Sequence, residues 1–255
     1  MGDDADGLDS VGVAGVVLAA GEGTRLRPLT LVRAKPMCPV GDRPLVDHAI
    51  DRVRAVAGDV AVNVHHHRSQ LEAHLDGRVH VSVEETRVLG TAGALGQLRD
   101  WVASRPVLVV NGDTWTDAPL ADLLDGWDGQ RIRLLVVGDA PHRAARLAGA
   151  LMPWDEVARL AAEPSGLWDV SWRAADDGGR LEWVRVAAAF ADCGTPASYL
   201  AANLAVSRGA SVIGAGADVS GTVDRSVVWP GLTVTPSERL IHAIRYDDRR
   251  TVLIR

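Results

Sequence analysis

The sequence predicts an α/β fold built on a doubly wound, mainly parallel sheet, and three observations favour that fold class. Apolar runs of strand length alternate with segments of helical periodicity over residues 13–137. The runs are rich in valine and leucine, as expected for strands that are buried on both faces. The chain has 255 residues, 47% of them hydrophobic, which is enough for one large core. Ligands of such sheets bind beyond the carboxyl ends of the strands.

The predicted elements follow in chain order. Pro44 suits the first turn of a helix, because proline lacks only an N–H that is unpaired there. In the first half, we expect strands at 13–19, 59–64, 79–83, 106–110 and 132–137, with helices at 45–57, around Leu71 and Leu75, at 92–102 and at 119–127. In the second half, we expect strands at 147–152 and within 181–190, with helices at 155–162 and 196–208.

Three regions differ in composition. Residues 1–12 carry four aspartates and are expected to form a disordered arm, and residues 13–208 are expected to form the main domain. In residues 209–255, small aliphatic residues recur among glycine, alanine and serine, which predicts a short left-handed β-helix-like appendage. A solenoid that short must pack on the main domain or on another subunit. The position of Trp229 within it suggests an exposed subunit contact.

Charge and cysteine content exclude several classes of protein. A net charge of −6 with no basic block argues against nucleic-acid binding. The apolar stretch at 11–21 is too short to span a bilayer, and the acidic start is unlike a signal peptide. Two cysteines form neither a disulfide framework nor a four-cysteine zinc site. We therefore expect a cytoplasmic protein with no membrane partner, and a homodimer is the candidate assembly.

Lysine usage is the sharpest compositional feature. Of the 27 basic residues, 26 are arginines and one is Lys35. A compact ammonium and a planar guanidinium differ in geometry and hydration. A single lysine in such a chain is either a chance survivor or a position that needs an ammonium.

The loop after the first predicted strand has the sequence LAAGEGTRLRPLT, residues 18–30. Glycines after a strand allow backbone N–H groups to surround phosphate oxygens. No Lys-Ser/Thr pair follows Gly23, and no third glycine opens a helix, so neither a P-loop nor a dinucleotide fingerprint is present. Arg25, Arg27 and Lys35 would supply positive charge to a polyphosphate.

With the following run KPMCPVGDRPLVDHAI, residues 35–50, this loop strongly resembles the signature of the sugar-phosphate nucleotidylyltransferases. The resemblance implies that a nucleoside triphosphate and a sugar 1-phosphate give a nucleotide sugar and pyrophosphate. It implies catalytic roles for Arg25 and Lys35, which contact the phosphates. It also implies that the loop binds the nucleotide through Leu18, Ala19, Ala20, Gly21, Glu22, Gly23 and Thr24.

Further matches occur in the family's order. Residues 84–85 and 89–94 resemble a second base-recognition loop, in which Gly90 and Thr91 contact the nucleotide, and are most similar to the mannose-1-phosphate guanylyltransferase-like branch. GTP is therefore the favoured nucleotide. Residues 109–113 and 192–196 resemble the loops that supply two magnesium ligands, Asp113 and Asp192. Gly149 resembles a glycine next to the sugar, and Asn111 and Glu163 are further candidate contacts to the sugar.

The sequence departs from the family between Asp113 and Gly149. The Glu-Lys pair that usually binds the sugar and its phosphate is absent from this segment. Because Lys35 is the one lysine of the chain, no such pair can occur elsewhere in it. His142, Arg143 and Arg146 could supply the missing charge, although a solvated basic turn is the simpler interpretation.

Two other functions stay open at this point. A catalytically silent subunit would bind a nucleotide sugar without turning it over. A transferase for a non-sugar phosphate such as phosphocholine would need an aromatic cage for the quaternary ammonium, for which the tryptophans between 154 and 172 are candidates.

Overall fold

The computed structural model describes residues 12–140 and 144–254. Residues 1–11 of the expected acidic arm lie outside the described residues, as do His142 and Arg143.

Seven strands form the central sheet. They are β1 (Ala14–Leu18), β2 (Asp59–Val64), β3 (His80–Val83), β4 (Val107–Asn111), β5 (Ile132–Val137), β6 (Arg146–Met152) and β7 (Leu181–Val186). Their spatial order is β7-β5-β6-β4-β1-β2-β3. Neighbouring strands pair in parallel except β6, which is antiparallel to both β4 and β5. The predicted mainly parallel sheet is confirmed.

Helices cover both faces of this sheet. They are α1 (Leu45–Arg54), α2 (Arg68–Leu75), α3 (Gly90–Gln97), α4 (Arg99–Val102), α5 (Trp154–Val157), α6 (Arg173–Asp177) and α7 (Pro196–Val206), with 3-10 turns at Thr24–Leu26, Leu29–Leu31, Lys35–Met37 and Leu120–Leu123. Adjacent strand residues point to opposite faces. Val17 accordingly joins a core with residues of α1 and α2, and Val16 joins a second core with residues of α3 and α6.

Several helical predictions differ from the structure. The helix expected at 119–127 is only a 3-10 turn at Leu120–Leu123, and the one expected at 92–102 is divided into α3 and α4. The helix expected at 155–162 ends at Val157, and residues 161–165 run against α3 instead. Residues Trp168–Trp172 form a π-helical turn that leads directly into α6, where the sequence predicted no helix.

The last part of the chain forms short parallel ladders. Val212 pairs with Val227, and Val227 pairs with Ile244. Asp218–Val219 pairs with Thr233–Val234, and Thr222–Asp224 pairs with Arg239–Ile241. A final hairpin joins Ala243–Asp247 to Arg250–Leu253.

These ladders pack on the main domain through Trp229. Its side chain is 1% exposed and lies in a core with Leu26, Leu29 and Cys193. Its indole N–H donates to the Tyr199 hydroxyl at 2.9 Å, and the Arg33 guanidinium lies 4.4 Å from its ring centroid. The expectation of an exposed subunit contact at Trp229 is wrong, because the appendage buries this residue against its own chain.

Among the described residues, no helix is both long and apolar enough to cross a membrane.

Candidate functional site

The candidate site lies where the strand order changes direction, at the carboxyl ends of β1 and β4. Leu18 pairs with Asn111 at this edge, and the Gly112 N–H donates to the Leu18 carbonyl at 2.8 Å. A Cβ added at Gly112 would lie 2.8 Å from Val17 Cγ1, so glycine permits this close approach. The loop that carries Asp113 is thereby tied to the end of β1, at the position where α/β sheets bind ligands.

The loop after β1 is fixed at its base and exposed at its tip. Leu26 and Leu29 are fully buried, whereas Arg25 and the tip residues Gly21, Glu22 and Thr24 are exposed. Gly23 has φ +61°, and a Cβ there would lie 2.9 Å from the Lys35 Cβ. Glycine is required at this position on both counts. The arrangement leaves backbone and Arg25 accessible to a ligand.

Lys35 connects two other loops of the site. Its ammonium lies 2.8 Å from Asp113 Oδ2 and donates to the Asp192 carbonyl at 2.9 Å, with its side chain only 7% exposed. The 3-10 turn Lys35–Met37 positions it. The chain's one lysine therefore occupies the centre of the predicted cluster.

Asp192 remains ionised in this environment. The Gly194 N–H donates to its Oδ1 at 3.1 Å and, outweighing partial burial, lowers its pKa together with Ser198, Lys35 and Arg25. A Cβ at Gly194 would lie 3.1 Å from Asp192 Oδ2 and 3.3 Å from Arg25 Nη2, so Gly194 lies between the two groups and the guanidinium is close enough to act on this carboxylate through its charge. The structure thus brings Arg25, Lys35, Asp113 and Asp192 together.

Cys193 lies next to Asp192, but its thiol is not suited to act as a nucleophile. Burial raises the pKa of its thiol to about 12, and that of Cys38 likewise to about 12. Both thiols are free and buried.

The carboxylates of the site are too few to surround a divalent cation by themselves, so further oxygen ligands would have to come from water or a bound phosphate. The described residues contain no group of three or more His, Cys, Asp or Glu side chains placed to hold a metal. Asp113 and Asp192 offer carboxylate oxygens on loops that Lys35 joins. Magnesium is commonly held by one or two carboxylates together with water and phosphate oxygens. These two residues fit that ion.

A buried polar chain, which the sequence analysis did not single out, links the two predicted base-recognition loops. Asn63 Oδ1 accepts from the Ala19 N–H, and Asn63 Nδ2 donates to Glu84 Oε1, both at 2.7 Å. Glu84 Oε2 accepts from the Leu89 N–H, also at 2.7 Å. The available signal was Asn63, a polar residue between two buried valines of β2; Glu84 was noted only for its resemblance.

Helix α3 carries Gly90 and Thr91. Added Cβ atoms at Gly90, Gly93 and Gly96 would lie 2.2–2.5 Å from carbonyl oxygens of residues 161–165, so these glycines admit that segment. Thr91 Oγ1 accepts from the Leu167 N–H at 2.8 Å. Thr91 therefore fixes the neighbouring segment and keeps its hydroxyl proton to donate.

The predicted sugar contacts separate into two places. Asn111 and Gly149 line one cavity, together with Leu18, Thr91, Trp168 and Trp172. Glu163 is exposed and lines a different cleft, because its backbone packs against Gly93. A Cβ at Gly149 would lie 2.7 Å from Leu120 Cδ2, which gives this glycine a packing role as well. Arg146 is exposed at the start of β6.

Comparison of the sequence with models of known protein families finds one that covers most of this cluster. The family described as nucleotidyl transferase matches residues 14–146, just over half of the chain. The chain belongs to the nucleotidyl transferase family. The match covers the loop after β1, Lys35 and Asp113, whereas Asp192 lies beyond it.

Curated relatives match this chain over part of its length. It is 35% identical over 130 residues to N-acetylmuramate alpha-1-phosphate uridylyltransferase from Caulobacter vibrioides, covering 46% of this chain and 54% of that protein. It is 34% identical over 160 residues to mannose-1-phosphate guanylyltransferase from Mycobacterium tuberculosis, covering 59% and 43%. The chain thus spans about half the length of the curated relatives that it matches.

Solved structures support the fold. A putative glucose-1-phosphate thymidylyltransferase from Bacillus anthracis, in complex with a sucrose, superposes with a TM-score of 0.65 at 20% identity. The superposition covers 77% of the present chain and 95% of that chain. HddC from Yersinia pseudotuberculosis gives a TM-score of 0.61 at 16% identity, covering 76% and 99%.

Proposed function

We propose that this nucleotidyl transferase joins a nucleoside triphosphate to a sugar 1-phosphate, or a sugar-like 1-phosphate, and releases pyrophosphate. The observation that carries the proposal is the position of Lys35 between Asp113 and the Asp192 carbonyl, with Arg25 across Gly194 from the Asp192 carboxylate. Two cations and two anions meet below an exposed glycine-containing loop at the ligand-binding edge of the sheet. Such a cluster suits chemistry between two anionic substrates.

The reaction needs charge neutralisation more than proton transfer. A sugar-phosphate oxygen, ionised near neutral pH, attacks the α-phosphorus and forms a new P–O bond. The bond from the α-phosphorus to the bridging oxygen breaks, and pyrophosphate leaves with that electron pair. Lys35 holds the two anions close together, and Arg25 stabilises charge on the leaving group. No general base is required.

Magnesium is the cofactor that we propose, with Asp113 and Asp192 as the residues that would hold it. When bound, the ion would neutralise phosphate charge and help to orient the triphosphate. The protein's own contribution is to keep both carboxylates available, and the bond from Gly194 to Asp192 serves this purpose.

GTP is the first nucleotide to test, because residues 89–94 resemble the guanylyltransferase branch and the relative from Mycobacterium tuberculosis is named a guanylyltransferase.

We propose the cytoplasm as the compartment, in keeping with two free buried thiols. A homodimer stays a prediction. We further propose that the ladders of residues 212–245 are turns of a left-handed β-helix, which their repeated parallel pairing supports.

The decisive experiment measures pyrophosphate release with magnesium for common nucleoside triphosphates crossed with sugar 1-phosphates. Asp113→Asn removes a charge at the site, and Asp117→Asn, beyond the short strand Trp115–Thr116, is its control. We expect release from one specific pair, abolished in Asp113→Asn, retained in Asp117→Asn and lost on chelation of the metal. Release that is equal in both variants would contradict the proposal.

The two other functions become outcomes of this panel. Binding of a nucleotide or nucleotide sugar without turnover would indicate a silent subunit. Turnover of phosphocholine would indicate a non-sugar acceptor. Trp168 and Trp183 have centroids 6.3 Å apart and line a cavity together with Arg173 and Asp177, so one positive and one negative side chain face any cation that the tryptophans would bind.

A further inference from the structure

A cavity of about 190 Å³ adjoins the proposed catalytic cluster. It is bounded by the ends of β1 and β4, by Leu147 of β6 and by the segment that contains Trp168 and Trp172. Asn111 lines it and lies two residues before Asp113 on the same loop. An apolar cavity of roughly 150 Å³ can hold a benzene-sized ligand, so this one has room for a substituent of a substrate.

The walls of this cavity are poorly suited to a hydroxyl-rich face. Among the described residues that line it, no side chain is charged, and most are aliphatic or aromatic. The polar groups of these lining side chains are few, namely those of Thr91, Asn111 and the indoles of Trp168 and Trp172. The Thr91 hydroxyl already accepts from the Leu167 N–H, so it has only its proton left to offer. Substrate hydroxyls buried here without partners would each lose hydration, which is costly. An apolar group suits most of this surface.

Trp172, which lines this cavity and also a second one with Trp183, carries a buried donor that lacks an acceptor in the part of the chain that the structure describes. The Trp172 side chain is 7% exposed, and its Nε1–H has no partner among the described residues. The indoles of Trp127, Trp183 and Trp229 all donate hydrogen bonds. Buried indole N–H groups usually find partners, so the exception points to an acceptor that a ligand brings.

A ligand group that combines a carbonyl oxygen with a small alkyl end would satisfy both features. We propose that this cavity receives an N-acyl substituent of the sugar 1-phosphate, with Trp172 Nε1–H donating to the acyl carbonyl. The alkyl end then packs against Leu147 and Trp168. The substrate class is the acylated amino-sugar 1-phosphates. This inference rests on the proposed function for the position of the sugar.

Kinetics provide the first test. Hexosamine 1-phosphates acetylated at different positions are each compared with the parent hexose 1-phosphate. We expect an acetylated substrate to exceed its parent at least tenfold in kcat/KM. Trp172→Phe keeps an aromatic ring but removes the donor, and it should reduce this ratio about tenfold, as for one hydrogen bond. Trp154→Phe, outside the cavity lining, should leave the ratio unchanged.

Spectroscopy provides a test that needs no turnover. In protein labelled with ¹⁵N-tryptophan, the eight indole N–H groups give separate signals. The acetylated sugar 1-phosphate should shift one signal, the one missing from Trp172→Phe, and the parent should shift it less. If that variant fails to fold, the wild-type kinetic ratio and the wild-type spectrum decide.

The outcomes separate this inference from the proposed function. Equal or better turnover of the parent hexose, or no indole shift with any acetylated compound, overturns the N-acyl site. An indole shift without pyrophosphate release from any pair retains the site but rejects the transferase activity.

Discussion

The amide nitrogen of Asn63 lies 2.7 Å from Oε1 of Glu84, and both side chains are almost completely buried. Through this contact, the Ala19 N–H on one loop is linked to the Leu89 N–H on another. The two loops that the family resemblance assigns to the nucleotide base are thus held in register by a single amide–carboxylate pair.

Glu84→Gln should weaken this linkage. The new amide must place an NH₂ group against either the Asn63 NH₂ or the Leu89 N–H, so two donors face each other. We expect the free energy of unfolding to fall by about 1–3 kcal/mol and the KM for the triphosphate to rise. Urea denaturation and initial rates measure both. Glu85→Gln is the control, because Glu85 is exposed and pairs with Arg68 at the surface; equal effects of the two changes would refute the linkage.

Lys35→Arg should inactivate the protein without unfolding it. The ammonium fits a space in which Gly23 packs against the lysine stem, and a planar guanidinium cannot keep both contacts to Asp113 and the Asp192 carbonyl. Loss of one preorganised donor lowers kcat by roughly 10²–10³. Arg27→Lys, on an exposed side chain, is the reciprocal control. A Lys35→Arg variant with more than about a tenth of wild-type kcat would show that the site does not require an ammonium.

Gly93→Ala should destabilise the fold although alanine favours helices. The added Cβ would lie 2.2 Å from the Glu163 carbonyl oxygen, so either α3 or residues 161–165 must move. Overpacking of this kind costs about 1–3 kcal/mol. Thermal denaturation should give a lower Tm. Gly58→Ala has open space around it and should change Tm little, and a neutral Gly93→Ala would contradict the close contact.

Asp47 should contribute to stability in a pH-dependent way. Burial alone would raise its pKa, but hydrogen bonds from His74 and Arg78 outweigh burial and lower it. The folded-state pKa lies below the unfolded value of about 3.9, so the contribution is complete above that value and is lost as pH falls through the folded pKa. Urea unfolding at several pH values should show Asp47→Asn weaker than wild type near neutral pH, with the gap closing in acid. A gap independent of pH would exclude this carboxylate as the cause.

Sequence patterns were sufficient for the central sheet, because its strands are apolar on both faces. Residues 59–64 and 132–137 form strands at the predicted boundaries. The cluster of Arg25, Lys35, Asp113 and Asp192 was predicted to share one site, and the structure brings these residues together. Their chemical roles remain predictions.

Other features depend on tertiary packing that local patterns do not show. The helix expected at 155–162 stops at Val157 because the chain must next run against the glycines of α3. The turn Trp168–Trp172 is shaped by the packing of its tryptophans against the sheet, and no helical periodicity signals it. Glu163 lines a different cleft from Asn111 and Gly149, a separation that the sequence does not show, and its contact with the sugar stays a prediction.

The burial of Trp229 among Leu26, Leu29 and Cys193 has a consequence for biosynthesis. The loops that carry Arg25 and Asp192 rest on a core that includes residues emerging from the ribosome some two hundred positions after the first loop. While the chain is growing, that core lacks its indole and the hydrogen bond to Tyr199. A nascent chain halted before Trp229 would thus contain every proposed catalytic residue but an incomplete core beneath the loops that carry them. We therefore expect activity to appear only late in translation.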